Sequence, residues 1–495
     1  MDSGTLFGAR WCLLLAAGFA LAACGGSSPP SGGGVSEVAA TALSGPTLPL
    51  RHAGRWITDA DGHVVVLHGF NMVYKTAPYA PAAAGFGDDD AAFLAGQGYN
   101  AVRVGVYHRA LEPQPGVYDD SYLDSIAATV DMLASHGMLA LLDFHQDMYN
   151  ERYQGLGLAA WAALDDSLPA EPQLGFPLNY FFMPALEAAY QNFWANAAGP
   201  GGVGIQDRYV AALQHVAARF SNTPNVLGYE TFNEPWPGLA WEPCVVPLLG
   251  CPLADASLTD FLKRSVAAIR QADAHTLIWY EPYVLFNDGF PTSVGKSGDA
   301  GTGFAFHDYC LNTSSNATCN INDAAVFANA ESQVQRTGDA LLMTEFGDPN
   351  TLDNHAEVAQ RADQNMVSWL YWAYNESIVA NMNLPPQGSN VIGASRLAVL
   401  TRPYPQVVSG TPLQWAYESA SQTFTFSYST ARADGSGVFA AGAETQIAAP
   451  PQVYAKGYSV KVEGGTVSSA ANAAVLLVAA ADGAQQVSVT VTPAP

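Results

Sequence analysis

Two glutamates have neighbours that suit them to acid–base chemistry. Glu234 lies in Tyr229-Glu230-Thr231-Phe232-Asn233-Glu234-Pro235 and Glu345 in Leu341-Leu342-Met343-Thr344-Glu345-Phe346-Gly347, each at the end of an apolar run. Cleaving a glycosidic bond takes one carboxylic acid to protonate the leaving oxygen and a second carboxylate to attack carbon or to activate water. Taken singly, an Asn-Glu-Pro turn starts a helix about as often as it serves catalysis. The case rests on the company the pair keeps. Other apolar runs end in His68 and Asn71, in His145 with Asp147, in Glu281, in His307 with Tyr309, and in Trp372, and one carries Arg103. A lone buried histidine usually satisfies a core hydrogen bond, but compatible polar groups at the ends of eight runs are hard to assign to chance.

The runs that must position these residues are Val64 to Leu67, Ala101 to Val106, Leu139 to Phe144, Val226 to Phe232, Leu277 to Tyr280, Phe304 to Phe306, Leu341 to Thr344 and Val367 to Trp372. Short continuous apolar runs suit parallel strands buried on both faces. Between them, Ser121 to Ser135, Tyr209 to Phe220, Leu258 to Ala272 and His355 to Asn365 place apolar residues with helical spacing. This alternation predicts an α/β chain built on a (β/α)8 TIM barrel, whose active groups come from the carboxyl ends of the strands. Glu234 then ends strand four and Glu345 strand seven. Opposite strands can hold two carboxyl groups at the roughly 5 to 5.5 Å separation that retaining glycosidases use. From Tyr404 onward the pattern changes to period-two alternation, as in Phe424-Thr425-Phe426-Ser427-Tyr428, which predicts a small C-terminal antiparallel β-sandwich. The expected organisation is a barrel over 50–401 and a sandwich over 402–495, with the boundary near Arg402-Pro403-Tyr404-Pro405.

The formal net charge of -24 would repel phosphate backbones and anionic surfaces, so a nucleic-acid partner is excluded. Arg10 precedes an apolar run from Trp11 to Ala23 that is short for a bilayer span and reads as a cleaved signal over 1–23. Leu21-Ala22-Ala23-Cys24 resembles the bacterial lipobox, which would make Cys24 a lipidated terminus; ordinary cleavage after Ala23 is the alternative. The Gly/Ser/Pro-rich stretch that follows makes 24–49 a flexible tether. The protein is therefore expected to be exported, as a cell-envelope lipoprotein or a secreted form, and to be a monomer. Among the remaining cysteines, proximity pairs Cys244 with Cys251 and Cys310 with Cys319, and export favours disulfides over zinc; sequence leaves the other two connectivities open. No metal cluster, phosphate loop or nucleotide motif is visible, so neither a metal nor a cofactor is expected. Asp88-Asp89-Asp90 reads as a helix cap before Ala91 rather than a calcium site.

Asn233-Glu234-Pro235 after the fourth run, His307-x-Tyr309 after the sixth and Glu345 after the seventh resemble glycoside hydrolase family five. Within it the chain is most similar to the endoglycoceramidases. That likeness is carried by His68-Gly69-Phe70-Asn71 with Lys75, by Asn100-Ala101-Val102-Arg103, by Glu112-Pro113-Gln114-Pro115-Gly116, by Asp143-Phe144-His145-Gln146-Asp147, by the Trp161 segment, and by Lys456-Gly457-Tyr458. The resemblance implies Glu234 as acid/base, Glu345 as nucleophile and Asn233 on the sugar 2-hydroxyl. It implies that Arg103 holds the nucleophile as a carboxylate, that Tyr309 donates to it, and that Lys75, His145, Asp147 and Trp372 line the subsite beside the cleaved bond. Trp372 and Trp161 would pack on hexose CH faces. The implied substrate is a glycosphingolipid cut between oligosaccharide and ceramide, with membranes as the place where enzyme and substrate meet. The alternatives are a family-five β-glycosidase acting on β-1,6-galactosyl lipids or a β-glucan, and a binding module that has lost catalysis. The aromatic stretch from Met148 to Gln206 reads equally as a channel or lid for a lipid tail and as a self-packed loop subdomain.

Overall fold

The computed structural model describes residues 45–246, 249–310, 316–348, 351–374 and 392–495. The expected signal, Cys24 and most of the tether lie outside the described residues. Eight parallel strands close into a barrel: His68–Met72, Ala101–Val106, Leu139–Phe144, Val226–Glu230, Ile278–Tyr280, Thr302–Asp308, Ala340–Phe346 and Ser368–Tyr371. Each pairs with its sequence neighbour, and the eighth pairs with the first. Seven of the expected strands are found in place. The first is not.

Val64–Val65 pairs antiparallel with Tyr404–Val408 in the C-terminal sheet, and the barrel begins only at His68. The apolar run misleads because Val64 to Leu67 is the more hydrophobic segment, whereas the barrel strand carries His68, Gly69 and Asn71. Gly69 is required there by close approach: a Cβ would lie 1.9 Å from the Ala101 carbonyl oxygen. His68 is consequently at the amino-terminal end of its strand, stacked between Trp369 at 4.2 Å and Tyr404 at 3.6 Å, and leaves the expected polar ring. Burial pushes its imidazole well below the usual histidine range, helped by nearby Arg402.

Helices surround the barrel as the periodicity predicts. Asp120–Ser135 is capped by Asp119, whose carboxylate accepts from the Ser121 and Tyr122 amides, and Ile205–Phe220, Pro252–Ala272 and Leu352–Asn365 follow. The helix Asp88–Gly96 opens on the three aspartates, with Asp90 accepting from the Gly87 amide.

The C-terminal sheets face each other across a core that includes Trp415, Phe424, Phe426, Leu476 and Val489. One has four strands: Thr411–Glu418, Thr423–Ser429, Gln486–Pro493 and Tyr458–Glu463. The other has seven, three of which, Arg51–Ala53, Trp56–Thr58 and Val64–Val65, come from before the barrel. Those three lie within the stretch expected to open the barrel; an antiparallel sheet edge recruits them instead.

Asp363, at the end of the helix Leu352–Asn365, ties barrel to sandwich by accepting from Arg402 Nη1 at 2.8 Å and from the Trp415 indole at 3.0 Å. All three side chains are buried. Removing one member of a buried pair leaves the other charge uncompensated, so Asp363→Ala is expected to cost about 3 to 5 kcal/mol. Urea unfolding checks this, and an unchanged midpoint would exclude a structural role for the contact.

Candidate active site

Arg103 projects from the second strand into the barrel and is fully buried. Its Nε donates to Glu230 at 2.5 Å, its Nη2 lies 3.0 Å from Asp143 and 3.1 Å from Glu281, and its Nη1 donates to Glu345. It also donates to the side-chain oxygens of Asn71 at 3.0 Å and Asn233 at 2.8 Å. Burial opposes the guanidinium charge, but Asp143, Glu230, Glu345 and Glu281 outweigh it and hold the group well above its usual range. Burial has the opposite result at Glu230: despite Arg103, its carboxyl is raised well above the ordinary value and so tends to keep its proton.

Glu345 reaches this centre through an irregularity in its strand. Met343 pairs with Phe306 and Glu345 with His307, so Thr344 is an extra residue on one side only. Such a bulge re-aims the side chain that follows. The Thr344 carbonyl is taken up by the Asn71 amide at 2.8 Å. Both Glu345 oxygens accept, Oε1 from Arg103 and Oε2 from the Tyr309 hydroxyl at 2.7 Å. At Gly347, two residues on, φ is 153° and a Cβ would lie 2.2 Å from the Trp372 carbonyl oxygen, so only glycine lets the two loops touch.

Glu234 is held in a left-handed conformation, φ 42°. A non-glycine residue there costs of order 1 to 3 kcal/mol and persists only under constraint. The constraints are identifiable. The Glu234 amide donates to Glu281 at 2.9 Å, and the Gln146 side-chain amide donates to the Asn233 and Glu234 carbonyls, each at 2.8 Å. Oε1 accepts from Asn287 at 2.6 Å and lies 2.8 Å from His307 Nδ1. Burial raises the Glu234 carboxyl, His307 counteracts it, and Glu345 and Glu281 push it further up. His307 is depressed by burial yet lifted well above the usual histidine range by Glu281 and Glu345, which favours its charged form. Glu281 is raised by burial but ends below the ordinary carboxylate value because His307, Arg103 and the Glu234 amide stabilise its charge. An oxygen of Glu234, one of Glu345 and a ring nitrogen of His307 all lie within 4.8 Å of one another. One carboxyl group that tends to hold a proton thus faces another whose two oxygens are both acceptors.

Beside this pair Lys75 Nζ lies 2.6 Å from Asp147 and 4.6 Å from the Trp372 ring centre. His145 stacks on Trp372 at 5.4 Å and bonds Asp143 through Nδ1 at 2.7 Å. Burial opposes the Asp147 charge, but Lys75 and His145 hold it well below the usual range. The structure therefore brings together Lys75, Arg103, His145, Asp147, Asn233, His307, Tyr309 and Trp372 around Glu234 and Glu345. The Trp161 indole donates to the Glu112 carbonyl at 2.9 Å, and its ring meets His108 and Arg208. Sequence reading assigned no role to Gln146, Asn287, Asp143 or Glu230. Asp143 and Glu230 had a usable signal, since an acid inside an apolar strand must have a buried partner; Gln146 and Asn287 had none.

The groupings Glu230, Glu281, His307 and Glu234, His307, Glu345 are close enough to share one cation. Arg103 already binds Glu230, Glu281 and Glu345, so the guanidinium compensates these three, while Glu234 has His307 as its charged neighbour.

Cys244 pairs with Cys251 and Cys310 with Cys319, as proximity predicts. Much of the aromatic stretch packs on itself. Tyr149, Tyr153, Tyr180, Tyr190 and Phe193 are buried in mutual contact, and Tyr180 stacks on Trp236 at 4.9 Å. Phe176, Leu178 and Phe182 instead stay exposed, as do Leu239, Val246 and Leu253 from the loop after Glu234 and the helix it leads into.

Residues 58–377 match the model of cellulase (glycosyl hydrolase family 5), and residues 402–492 match the glycoside hydrolase family 5 C-terminal domain. The chain belongs to glycoside hydrolase family 5 and hydrolyses O-glycosyl bonds. It is 31% identical to endoglycoceramidase I of Rhodococcus hoagii over 464 residues, covering 90% of this chain and 88% of that one. Endoglycoceramidase of Hydra vulgaris is 26% identical, with 76% of each chain covered. The solved endo-glycoceramidase II of Rhodococcus sp. in complex with ganglioside GM3 superposes with a TM-score of 0.73 at 28% identity, covering 89% of this chain and 99% of that one.

In the aromatic insertion, Glu187 on the helix Pro184–Trp194 is buried beside Trp236, and burial pushes its carboxyl up to about 7. A carboxyl whose folded value lies above its unfolded value destabilises the fold progressively as pH rises between the two. Glu187→Gln removes that titration. Relative to the parent, the variant should gain about 2 to 3 kcal/mol between pH 4.5 and pH 7.5, read from denaturant midpoints at each pH. A difference that does not change with pH would refute the assignment.

Proposed function

We propose that this enzyme is a retaining endo-glycosidase that cleaves the β-glycosidic bond between the oligosaccharide and the ceramide of glycosphingolipids, with Glu345 as nucleophile and Glu234 as acid/base. The observation that carries the reading is the contrast between the two carboxyls across less than 4.8 Å: burial favours a proton on Glu234, while Arg103 and Tyr309 both donate to Glu345. Carboxyl groups this close match the spacing of retaining rather than inverting enzymes. Glu345 attacks the anomeric carbon as Glu234 protonates the ceramide oxygen; the C–O bond breaks and a glycosyl ester forms. Glu234, now ionised, takes a proton from water, which attacks the same carbon and releases Glu345 and the β-sugar. Asn233, fixed between Arg103 and the Gln146 carbonyl, is placed to bond the 2-hydroxyl. Trp372, backed by His145 and Lys75, offers a face for the sugar next to the bond.

Support for the lipid comes from the relatives and from the surface. The endo-glycoceramidase II of Rhodococcus sp. has been solved both with ganglioside GM3 and as a lactosyl-enzyme intermediate. On this chain Phe182 is 57% exposed, Leu239 66% and Leu253 82%. An apolar surface of this kind suits an amphiphile, since each buried methylene contributes about 0.8 kcal/mol. Export through the 1–23 segment and lipid attachment at Cys24 would place the monomeric enzyme at a membrane.

Early-time proton NMR is expected to show the β-anomer of the released sugar first; the α-anomer first would end the retaining mechanism. Glu345→Gln should fall by at least about 1,000-fold in kcat with the fold intact, because an amide cannot form the ester. A product assay on ganglioside, lactosylceramide, a β-1,6-galactosyl ceramide and soluble β-glucan tests the substrate. Free ceramide with the whole glycan supports the reading, and activity confined to the glucan refutes it. Palmitate labelling that Cys24→Ser abolishes would support lipidation, and equal labelling would exclude it.

A further inference from the structure

Glu234 Oε1 is held twice, at 2.8 Å by His307 and at 2.6 Å by Asn287, and among the described residues no hydrogen bond falls on Oε2. Tying off one oxygen leaves the other to carry the proton toward the glycosidic oxygen. Asn287 lies in the short segment Val284–Asp288 after the fifth barrel strand, outside the apolar runs. Its own position is set from the helix Asn316–Thr337, where Asn322 Nδ2 donates to the Asn287 carbonyl at 3.1 Å. The same nitrogen donates to the Tyr309 carbonyl, also at 3.1 Å. Tyr309 in turn holds Glu345 through its hydroxyl.

The helix is well placed to transmit this. Two turns beyond Asn322, on the same face, Asn329 donates to the Gly289 carbonyl at 2.9 Å. Gly289 itself packs so close that a Cβ would lie 3.1 Å from Asn322 Oδ1. At the other end the Cys310–Cys319 disulfide ties the helix to the residue after Tyr309.

We propose that Asn322 is a positioning residue for both carboxyl groups: its one amide nitrogen donates to the carbonyls of Asn287 and Tyr309, whose side chains hold Glu234 and Glu345. The inference rests on the retaining reading above. A primary amide has two N–H donors, and here one serves each half of the catalytic pair. A displacement of about 1 Å in a reacting group can cost about 100-fold in rate, so a brace common to both carboxyls protects their separation. No barrel strand need intervene.

The test compares two β-lactosides, one with a dinitrophenyl leaving group that departs without a proton and one with an alkyl group that needs it. Asn287→Ala should lower kcat/KM for the alkyl lactoside about 10- to 100-fold and leave the dinitrophenyl lactoside nearly unchanged. Its alkaline limb should also move up, because a donor to ionised Glu234 is lost while His307, Glu345, Glu281 and Asp288 still face it. Asn322→Leu should lower both substrates, since Tyr309 and Asn287 are released together. If that variant does not fold, Asn322→Ser carries the same expectation. Unchanged rates for both lactosides, loss on the alkyl lactoside alone, or losses matching only the fraction of unfolded protein would overturn the proposal. Wild-type protein that cleaves neither lactoside would count against the glycosphingolipid reading above rather than against the role of Asn322, and the same variants are then compared on the glycoside that the product assay identifies.

Discussion

The interior depends on one buried guanidinium. Moving a charge from water into a barrel is costly, and the cost is offset only where geometry and partners are both good. Arg103 meets this with carboxyl groups from several strands, Asp143, Glu230, Glu281 and Glu345, and with the amide oxygens of Asn71 and Asn233. The planar fork of an arginine can serve so many directions at once, which a lysine cannot. One cation still does not balance that many acids. The structure resolves the excess in two ways: burial favours protonation of Glu230 and Glu234, and the acids around His307 favour its charged form.

From that balance the asymmetry of the two central glutamates follows without any special device at either one. Glu345 touches the guanidinium directly; Glu234 does not, and its nearest charged neighbour is the shared His307. The bulge at Thr344 and the left-handed turn at Glu234 are the backbone counterparts of this arrangement. Each is a local irregularity held by side-chain amides, Asn71 in the first case and Gln146 in the second.

How legible this was varied with the kind of information required. Parallel strands buried on both faces announce themselves as apolar runs, so seven strands and both glutamates could be placed from residue types. The first strand could not, because His68, Gly69 and Asn71 dilute its apolar signal, and the purer run just before it pairs through Val64–Val65 with the C-terminal sheet. Family likeness supplied Lys75, His145, Asp147 and Trp372, which the structure clusters. Gln146, Asn287 and Asn322 were illegible for a different reason. Neutral amides satisfy backbone groups at positions fixed only by tertiary contact, and nothing in their spacing records that.

The same division separates chemistry from specificity. Arg103 and its acids are sealed inside the barrel, and any change there disturbs a charge balance on which folding depends. The outer insertion has no such constraint. Its buried half, Tyr149, Tyr153, Tyr180 and Tyr190, packs as a small aromatic core that supports Trp236 behind the Glu234 loop. Its exposed half, Phe176, Leu178 and Phe182, makes few demands on the fold and is free to vary. A barrel of this design keeps its two carboxyls in register while the exposed part of the insertion varies, because Arg103, Asn71 and Gln146, which set the register, lie outside that insertion.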